Sequence, residues 1–405
     1  NNIISYGEIL PGSSASGTFP VYIHETAFHM EDLDVTLTIT DGAGNIWINA
    51  VPVNVLGPYL MVADYSGDIF PGSNTMLSLN LDNQGSRDVS NYSLELLPYD
   101  NLVSIHSATS SISKLSVGEN IYLNDFELSF SSDIINGTIL PIEMLLTSSD
   151  GFTRKEVINI MVGEVRVEDP LGPDPYGYYI YDSGDIEYLL APNYNWVEID
   201  GRYGGDGNYL SSLSDGGNNG DDVETIDLPF TFRFYGQSYD EISICSNGWV
   251  GLGETNMASF RNYPVPGAGG PFPMIAGFWD DLKLTNGGRV YTWYDSNNKQ
   301  FIIQWSRVRT YQNSSTETFQ IMLRDPDYYL TPTNDGEILI QYMDFNNTSN
   351  GSYSWNQIHG NYCTVGIEDH TMTIGLQYTF NNDYPTAAMD LEDESAIYIT
   401  TESPI

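Results

Sequence analysis

Basic residues are scarce in this chain of 405 residues: 14 lysines and arginines stand against 54 aspartates and glutamates, a net charge of -40 at pH 7. A surface this negative repels the phosphates of nucleic acids and the head groups of anionic lipids. Nucleic-acid binding and docking on an anionic membrane are therefore excluded as functions. The excess of carboxylates leaves two interpretations open, a solvated surface that keeps the protein soluble or clusters that bind calcium.

Cysteine and long apolar runs are scarce as well. Two cysteines, Cys245 and Cys363, are too few for a disulfide framework, and they form either one bridge or two buried thiols. No stretch approaches the ~20 apolar residues that span a bilayer. The first six residues lack the basic start and apolar core of a signal peptide, and no initiating Met precedes them. We therefore expect a mature or excised piece of an extracellular or cell-surface protein, with its export signal upstream.

Helical periodicity is almost absent. Apolar and polar residues alternate instead, in runs such as 35–40, 76–81 and 289–294, with turn sequences such as Asp41-Gly42 between the runs. Short strands at steady spacing are typical of β-sandwiches and barrels. The pattern predicts an all-β protein, and the length predicts two or three domains.

An internal repeat relates the N-terminal residues to the segment that follows. The matching pairs are 4–13 with 112–119, 19–23 with 126–130, 35–42 with 142–151, and 51–57 with 157–163, at offsets near 106 to 108 residues. Residues 1–57 thus correspond to the second half of a unit whose complete copy spans 58–163 and has the length of an immunoglobulin-like sandwich. Half a sandwich leaves edges and core unpaired, so an upstream piece or another subunit must supply the missing strands.

The composition changes from residue 164 onward. Residues 167–179 are rich in Pro, Gly and Tyr, and 203–222 form a long loop rich in Gly, Asn and Asp. We interpret 164–225 as a connecting segment that packs on the next domain. The dense strand series within 226–405 is predicted to form that domain.

Aspartates crowd this connecting segment and recur after Trp279. One hypothesis is a structural calcium ion that rigidifies residues 165–222, because calcium prefers oxygen ligands. The other is that these carboxylates cap turns or face water. No stretch has the EF-hand pattern, and no other cofactor is predicted. The candidate calcium ligands are Asp169, Asp174, Asp182, Asp185, Asp206, Asp215, Asp221, Asp222, Asp280 and Asp281.

No catalytic motif is complete. His24 and His29 lie five residues apart, whereas a zinc-peptidase motif needs two His four apart on one helical face. Cys245 lies in an alternating strand without the partner His that a nucleophilic cysteine needs. The glycines within 267–270 lie between prolines, without the Lys and helix start of a phosphate-binding loop. We therefore expect no enzyme activity.

The aromatic residues allow a sugar-stacking platform, with core packing as the alternative. Four tryptophans sit in alternating strands, where core packing is the expected role: Trp249, Trp279, Trp293 and Trp305.

Several motifs, in order, resemble a nidogen-like extracellular domain over about 226–400. They are LPFTFRFYG at 228–236, ICSNGWV at 244–250, MIAGFWDD at 274–281, GRVY at 288–291, FIIQW at 301–305, TFQ at 318–320, DGEI at 335–338 and TVGIE at 364–368. This resemblance implies an adhesive extracellular module without enzyme activity. Residues 1–163 resemble the adhesion-type immunoglobulin-like repeats of large secreted bacterial proteins.

The combination is similar to the C-terminal extensions of gingipain-type and subtilisin-like peptidases. The expected architecture is tandem immunoglobulin-like β-sandwiches followed by a larger nidogen-like β-sandwich. Three functions remain: a non-catalytic structural or adhesive protein of a bacterial surface, a self-assembling filament or surface-layer subunit completed by strand donation, and a processed fragment of a secreted peptidase. The expected partners are other extracellular proteins, surface glycans or copies of the chain itself.

Overall fold

The computed structural model describes residues 3–24, 27, 29–216, 220–311, 314–348 and 360–404. Strands make up 47% of the described residues and helix about 1%, so the all-β prediction is confirmed. The chain forms two compact units, Asn1–Glu164 and Val165–Ile405. Among the described residues, no helix is long and apolar enough to cross a membrane.

The described part of the first unit contains ten strands. They are β1 (Asp32–Thr40), β2 (Ile46–Asn54), β3 (Leu60–Ser66), β4 (Asn74–Asn83), β5 (Val89–Pro98), β6 (Val103–Ser107), β7 (Thr109–Leu115), β8 (Asn120–Phe130), β9 (Thr138–Ser148) and β10 (Thr153–Val162). The last eight make two four-stranded sheets, in the orders β3-β4-β8-β6 and β10-β9-β5-β7.

These two sheets form a sandwich because each strand turns its apolar alternate residues inward. In β8, Phe126 and Leu128 are fully buried, and in β9 Ile142 and Met144 are buried to the same degree. One continuous apolar cluster contains residues from both sheets. Residues 58–163 are thus a closed β-sandwich with its own core.

The other two strands, β1 and β2, form a separate two-stranded sheet. They pair antiparallel from Asp32 opposite Asn54 to Thr40 opposite Ile46. Residues 3–24 contain no strand, although 19–23 match β8 in sequence. Within residues 3–57, Val55 is the one described hydrophobic residue that is buried.

The second unit contains fourteen strands and one short 3-10 helix (Gly201–Tyr203) in its described part. The strands are β11 (Tyr179–Asp182), β12 (Asn208–Tyr209), β13 (Val223–Phe234), β14 (Gln237–Cys245), β15 (Trp249–Leu252), β16 (Met274–Trp279), β17 (Leu282–Lys283), β18 (Arg289–Asp295), β19 (Gln300–Thr310), β20 (Thr316–Arg324), β21 (Ile338–Asp344), β22 (Thr364–Glu368), β23 (Gly375–Phe380) and β24 (Ser395–Thr400).

Two sheets face each other in this unit. The larger has the order β11-β24-β21-β20-β19-β18-β12, with β17 also paired to β19, and the smaller has the order β13-β14-β15-β16-β22-β23. Between them Trp305 stacks on Phe319, with ring centroids 4.9 Å apart. The hydroxyl of Tyr342 donates a hydrogen bond to the carbonyl of Gly277 at 2.7 Å and so joins the sheets.

The connecting segment is part of the second unit. Its strand β11 adds to the edge of the larger sheet beside β24. Tyr178 and Tyr181 of this segment are fully buried, as are Trp249, Trp279 and Trp305 of the sheets. Core packing is therefore the role of these three tryptophans.

Candidate functional site

The two histidines of the incomplete zinc motif lie outside any helix. His29 Nδ1 accepts a hydrogen bond from the backbone N–H of Gly57 at 3.4 Å, and its ring lies 6.1 Å from that of Tyr59. Positions 24, 27 and 29 are irregular or turn, and residues 25, 26 and 28 lie outside the described residues. His29 thus connects the end of β2 to the start of the sandwich.

Both cysteines are free thiols in the core, which is the second of the two alternatives. The bridge fails because β15 and β16 lie between β14, which ends at Cys245, and β22, which begins just after Cys363. Three strand spacings amount to about 14 Å, and a disulfide needs Cα atoms less than about 7 Å apart. Burial raises the pKa of both thiols, whereas a nucleophilic cysteine needs a lowered pKa.

Three of the four aspartates in 169–185 hold turns and side chains together. Asp169 forms an ion pair with Arg166, at 3.2 Å. Asp174 Oδ1 accepts the backbone N–H groups of residues 176, 177 and 178 at 2.8 to 3.0 Å. Asp182 accepts the hydroxyl of Tyr378 at 2.8 Å. These contacts are those of the turn-capping interpretation.

Asp185 is different, because its Oδ1 is buried and has no hydrogen-bond partner. Its other oxygen accepts the N–H of Asp182 at 2.8 Å. Burial, with the negative charges of Asp182 and Asp169 nearby, raises the pKa of Asp185 to about 8. A carboxyl with this pKa carries a proton at neutral pH, and the proton reduces the cost of burying it.

The remaining six candidate ligands fall into separate places. Asp215, Asp221 and Asp222 fasten the long loop to the turn after Cys245, through Ser246 and Asn247. Asp206 is exposed. Asp280 is buried, which raises its pKa well above the ordinary value, and it accepts the N–H of Asp281 at 2.7 Å.

Among the described residues, no group of three or more His, Cys, Asp or Glu side chains is arranged to hold a metal ion. The calcium hypothesis therefore stays a prediction, and the hydrogen bonds favour its alternative.

A row of buried glutamines crosses the larger sheet, and sequence reasoning missed it. Gln304 of β19 lies opposite Gln320 of β20, which lies opposite Gln341 of β21. The three side chains bind the extended segment 195–200, which we call the covering segment. Their contacts are Asn195 N–H to Gln341 Oε1 at 2.6 Å, Gln320 Nε2 to the carbonyl of Val197, and Ile199 N–H to Gln304 Oε1 at 3.2 Å.

The covering segment ends at Asp200, which is fully buried and fixes the next residues. Its carboxylate accepts hydrogen bonds from the Arg202 guanidinium and from Ser306 Oγ at 2.7 Å. Burial opposes ionisation of Asp200, but the hydrogen bonds from Arg202 and Ser306 outweigh it and hold the pKa well below its ordinary value. The carboxylate is therefore charged at neutral pH, and it positions the 3-10 helix that carries Arg202 and Tyr203.

Three arginines and two tyrosines converge beside this helix. We call Arg202, Tyr203, Tyr209, Arg289 and Arg307 the arginine–tyrosine patch. The guanidinium carbon of Arg307 lies 3.5 Å from the ring centre of Tyr203, and that of Arg289 lies 4.6 Å from the ring centre of Tyr209. Such contacts are cation–π interactions. Tyr203 and Tyr209 remain 52% and 43% exposed.

A bulge in β19 directs Arg307 towards the patch. The pairing of β19 with β20 shifts between Trp305 and Val308, and Arg307 has a φ of 53°. A positive φ costs about 1 kcal/mol or more for a non-glycine residue, so neighbouring contacts must offset it. Those contacts include Tyr203 and a hydrogen bond from Arg307 to Ser306 Oγ at 3.0 Å.

The sequence model of one family, described as NIDO related, matches residues 196–401, just over half of the chain. The chain belongs to the NIDO-related family. The nidogen-like resemblance of the second unit is thereby confirmed, and domains of this kind are extracellular in general. The match of the NIDO-related domain begins in the covering segment. No curated protein matches the chain.

The arginine–tyrosine patch of the NIDO-related domain was also missed from sequence. Its members come from four separate elements between residues 202 and 307, so no local motif contains them. The glutamine row left a weak signal. Each of the strands β19, β20 and β21 contains a glutamine with a large apolar residue on either side of it.

Proposed function

We propose that this protein is a non-catalytic, structural or adhesive component of a bacterial cell surface or secretome. Membership of the NIDO-related family supports an extracellular structural role. The buried thiols and the turn-capping aspartates support the non-catalytic part, because these groups have structural partners. The observation that carries the adhesive part is the arginine–tyrosine patch.

The patch is unusual in so acidic a chain. Three of the 14 basic residues lie together beside two exposed tyrosine rings. Arginine donates paired hydrogen bonds to carboxylates, and it remains charged at any physiological pH. Tyrosine offers an apolar ring face and a hydroxyl group in the same side chain. Together they suit a glycan that carries carboxylates, so we propose uronate-containing surface glycans as the partner.

Binding to immobilised uronate-containing oligosaccharides tests this proposal. Arg289→Ala and Arg307→Ala should each weaken binding by about tenfold or more, since a hydrogen bond to a charged group contributes about 1.5–3 kcal/mol and about 1.4 kcal/mol is tenfold. Arg324→Ala is the matched control. Arg324 also lies over a tyrosine ring, that of Tyr329 at 4.9 Å, but at the opposite end of β19 from Arg307. Equal binding by all three variants would contradict the proposal.

A second candidate is a filament or surface-layer subunit whose N-terminal hairpin is completed by a neighbour. The observation in its favour is the exposure of Ile39, Trp47 and Val51 on one face of the β1–β2 sheet. Negative-stain microscopy of the native material at high concentration should then show polymers. Monomers alone would remove this candidate.

The third candidate, a processed fragment of a secreted peptidase, rests on the resemblance of residues 1–163 to the extensions of such enzymes. The reading frame encoded before Asn1 tests it. A peptidase domain there would support this candidate, and a frame without one would remove it.

A further inference from the structure

The basic residues of the chain fall into two groups, those paired with a carboxylate and those without such a partner. Among the described residues, six of the 14 lysines and arginines form an ion pair with a carboxylate within 4.0 Å. Four of the remaining eight lie on three adjoining strands of the larger sheet. They are Lys283 of β17, Arg289 of β18, and Arg307 and Arg309 of β19. In a chain with 54 acidic residues, this concentration of cations without carboxylates indicates an anionic partner.

Strand pairing places the four cations along one edge of β19. Arg289 of β18 lies opposite Ser306, and Lys283 of β17 lies opposite Arg309. Both strands pair with the same edge, because β20 occupies the other one. Arg309 is three residues beyond Ser306, which is up to about 10 Å further along an extended strand. We call Lys283 and Arg309 the distal pair, since they lie beyond the arginine–tyrosine patch that contains Arg289 and Arg307.

All four cations point to the same side of the larger sheet. The residues next to three of them, Leu282, Val290 and Val308, are buried in the core between the two sheets. Successive residues of a strand point to opposite faces, so these cations lie on the outer face, which also carries the covering segment. Arg307 reaches the same face, since its guanidinium lies against Tyr203 of the 3-10 helix that follows the covering segment. We call the four residues the cation strip.

The distal pair is held by neutral groups. Lys283 Nζ lies 5.3 Å from the ring centre of Tyr311 and donates a hydrogen bond to the carbonyl of Tyr311 at 3.1 Å. Arg309 Nη1 donates a hydrogen bond to the carbonyl of Ser314 at 3.0 Å. These acceptors fix the side chains without neutralising their charges. The distal pair thus repeats the combination of a cation and a tyrosine ring that is present in the arginine–tyrosine patch.

The distal pair also brings two like charges together. Lys283 and Arg309 lie directly opposite each other on neighbouring strands, and like charges in this position destabilise a strand pair. A carboxylate between them would remove the repulsion and would accept hydrogen bonds from both. Arg202 of the patch differs, because Asp200 already neutralises it. The positive charge available to a ligand therefore lies at the other two arginines of the patch and at the distal pair.

We propose that the cation strip binds a linear chain of several uronates, with one carboxylate at the patch and another at the distal pair. This inference rests on the proposed function and adds a second subsite to it. An ion pair needs nitrogen and oxygen within about 4 Å, and the two places are separated along β19 and held by different neighbours, so one carboxylate cannot contact both. A polymer with a carboxylate on each sugar can. Its second contact forms within the complex and raises the affinity further.

Other anionic polymers fit the strip less well. A nucleic acid would meet the net charge of -40 along most of its length and would be repelled. An acidic polypeptide carries carboxylates of the right kind, but it has no ring to pack on the tyrosines beside the cations. A sugar ring has an apolar face and hydroxyl groups, which match the apolar face and hydroxyl of tyrosine. The tyrosine rings at both places therefore favour the uronate chain.

The dependence of affinity on ligand length tests the second subsite. Calorimetric titration of the full chain compares oligogalacturonates of two and of six sugars. The longer oligomer should bind about tenfold more tightly, because two further ion contacts contribute about threefold each. Lys283→Gln and Arg309→Gln should each weaken binding of the longer oligomer by about threefold and leave binding of the shorter one, which occupies the patch, unchanged. Methyl esterification of the longer oligomer, which removes its charges, should abolish the gain.

Two variants serve as controls. Lys299→Gln removes a lysine just before β19, at the opposite end of this strand from Arg309, and should alter neither affinity. Lys283→Arg keeps the charge and should keep the gain with length.

The possible failures are distinguishable. A gain with length that survives both Lys283→Gln and Arg309→Gln, or that Lys299→Gln reduces equally, would overturn the second subsite and leave the patch as the binding site. Absence of binding by either oligomer would overturn the proposed function together with this inference. Competition by poly-L-glutamate as strong as that by the six-sugar oligomer would overturn the assignment to a sugar chain and favour an acidic polypeptide as the partner.

Discussion

The two copies of the repeat share a sequence pattern and a hairpin register, because Val35 pairs with Val51 and, 107 residues later, Ile142 pairs with Ile158. They differ in how much of the pattern becomes structure. In residues 58–163 every matched segment contains all or part of a strand of the closed sandwich. Among the described residues of 3–57, β1 and β2 are the only strands, and their apolar face is only partly covered, with Ile39 and Val51 50% and 43% exposed. The comparison teaches that alternation specifies which face a strand would bury, while strand formation depends on a neighbour.

The largest expected effect comes from shortening the apolar side chain at equivalent positions of the two copies, Ile39 and Leu146, which lie 107 residues apart. Leu146→Ala should lower the free energy of unfolding of the complete copy by about 2–5 kcal/mol, because it leaves a cavity in a closed core. Ile39→Ala, the equivalent change, should cost about 0.5 kcal/mol or less, since Ile39 is half exposed. Urea midpoints, followed by hydrogen exchange on peptides from each copy, measure both. A large loss for Ile39→Ala would show that the hairpin face is covered in solution.

A pH series separates the unfolding of the two units, so that the copies can be compared without interference from the NIDO-related domain. In that domain burial raises the pKa of Asp185 to about 8, and of Glu317 and Glu368 to about 7. The folded state then binds more protons than the unfolded state between about pH 4 and 8, so stability falls as pH rises through this window. In the first unit, hydrogen bonds lower the carboxyl pKa values of Asp41 and Glu119.

The Asp185→Asn variant isolates the largest of these contributions. One proton contributes about 1.4 kcal/mol per pH unit within the window. The melting temperature of the second unit should therefore fall from pH 5 to pH 8 in the unsubstituted protein and fall less in the variant. The transition of the first unit serves as the internal control. Parallel curves for the two proteins would show that Asp185 is not protonated in the fold.

Calcium removal is expected to have the smallest effect. It tests whether a bound calcium ion stabilises the second unit. We expect excess chelator to leave the melting temperature of the second unit unchanged within about 1 °C, because hydrogen bonds already engage Asp169, Asp174 and Asp182. A fall of several degrees, reversed by added calcium, would support the calcium hypothesis and identify Asp185 Oδ1 as a ligand to test next.

Much of the fold follows from local pattern. The alternation in 35–40 and 289–294 predicts strands that the structure contains as parts of β1 and β18. The internal repeat predicts that residues 1–57 correspond to the second half of a unit. This prediction needs only the sequence match and no knowledge of contacts. The ordered motifs from 228 to 368 predict the nidogen-like domain, which the family match confirms.

The contacts of the candidate site could not be predicted in the same way. The arginine–tyrosine patch joins residues from the 3-10 helix, β12, β18 and β19, and a bulge at Arg307 aims one member. Whether Cys245 and Cys363 lie close enough for a disulfide depends on the order of strands in the sheet. Strand order is a long-range property that local sequence patterns do not determine. Charge density suggested calcium around 169–185, yet the hydrogen bonds that engage most of those carboxylates come from backbone turns and from residues such as Tyr378.

The glutamine row has a consequence for which changes of length the NIDO-related domain tolerates. The backbone groups of residues 195, 197 and 199 form hydrogen bonds with glutamines of three neighbouring strands, β21, β20 and β19 in that order. The covering segment therefore advances by two residues for each strand that it crosses. Inserting or deleting one residue between 195 and 199 would turn backbone groups away from the glutamines and leave buried amides unsatisfied. The covering segment is therefore fixed in length by side chains of the sheet beneath it, although it forms no strand of its own.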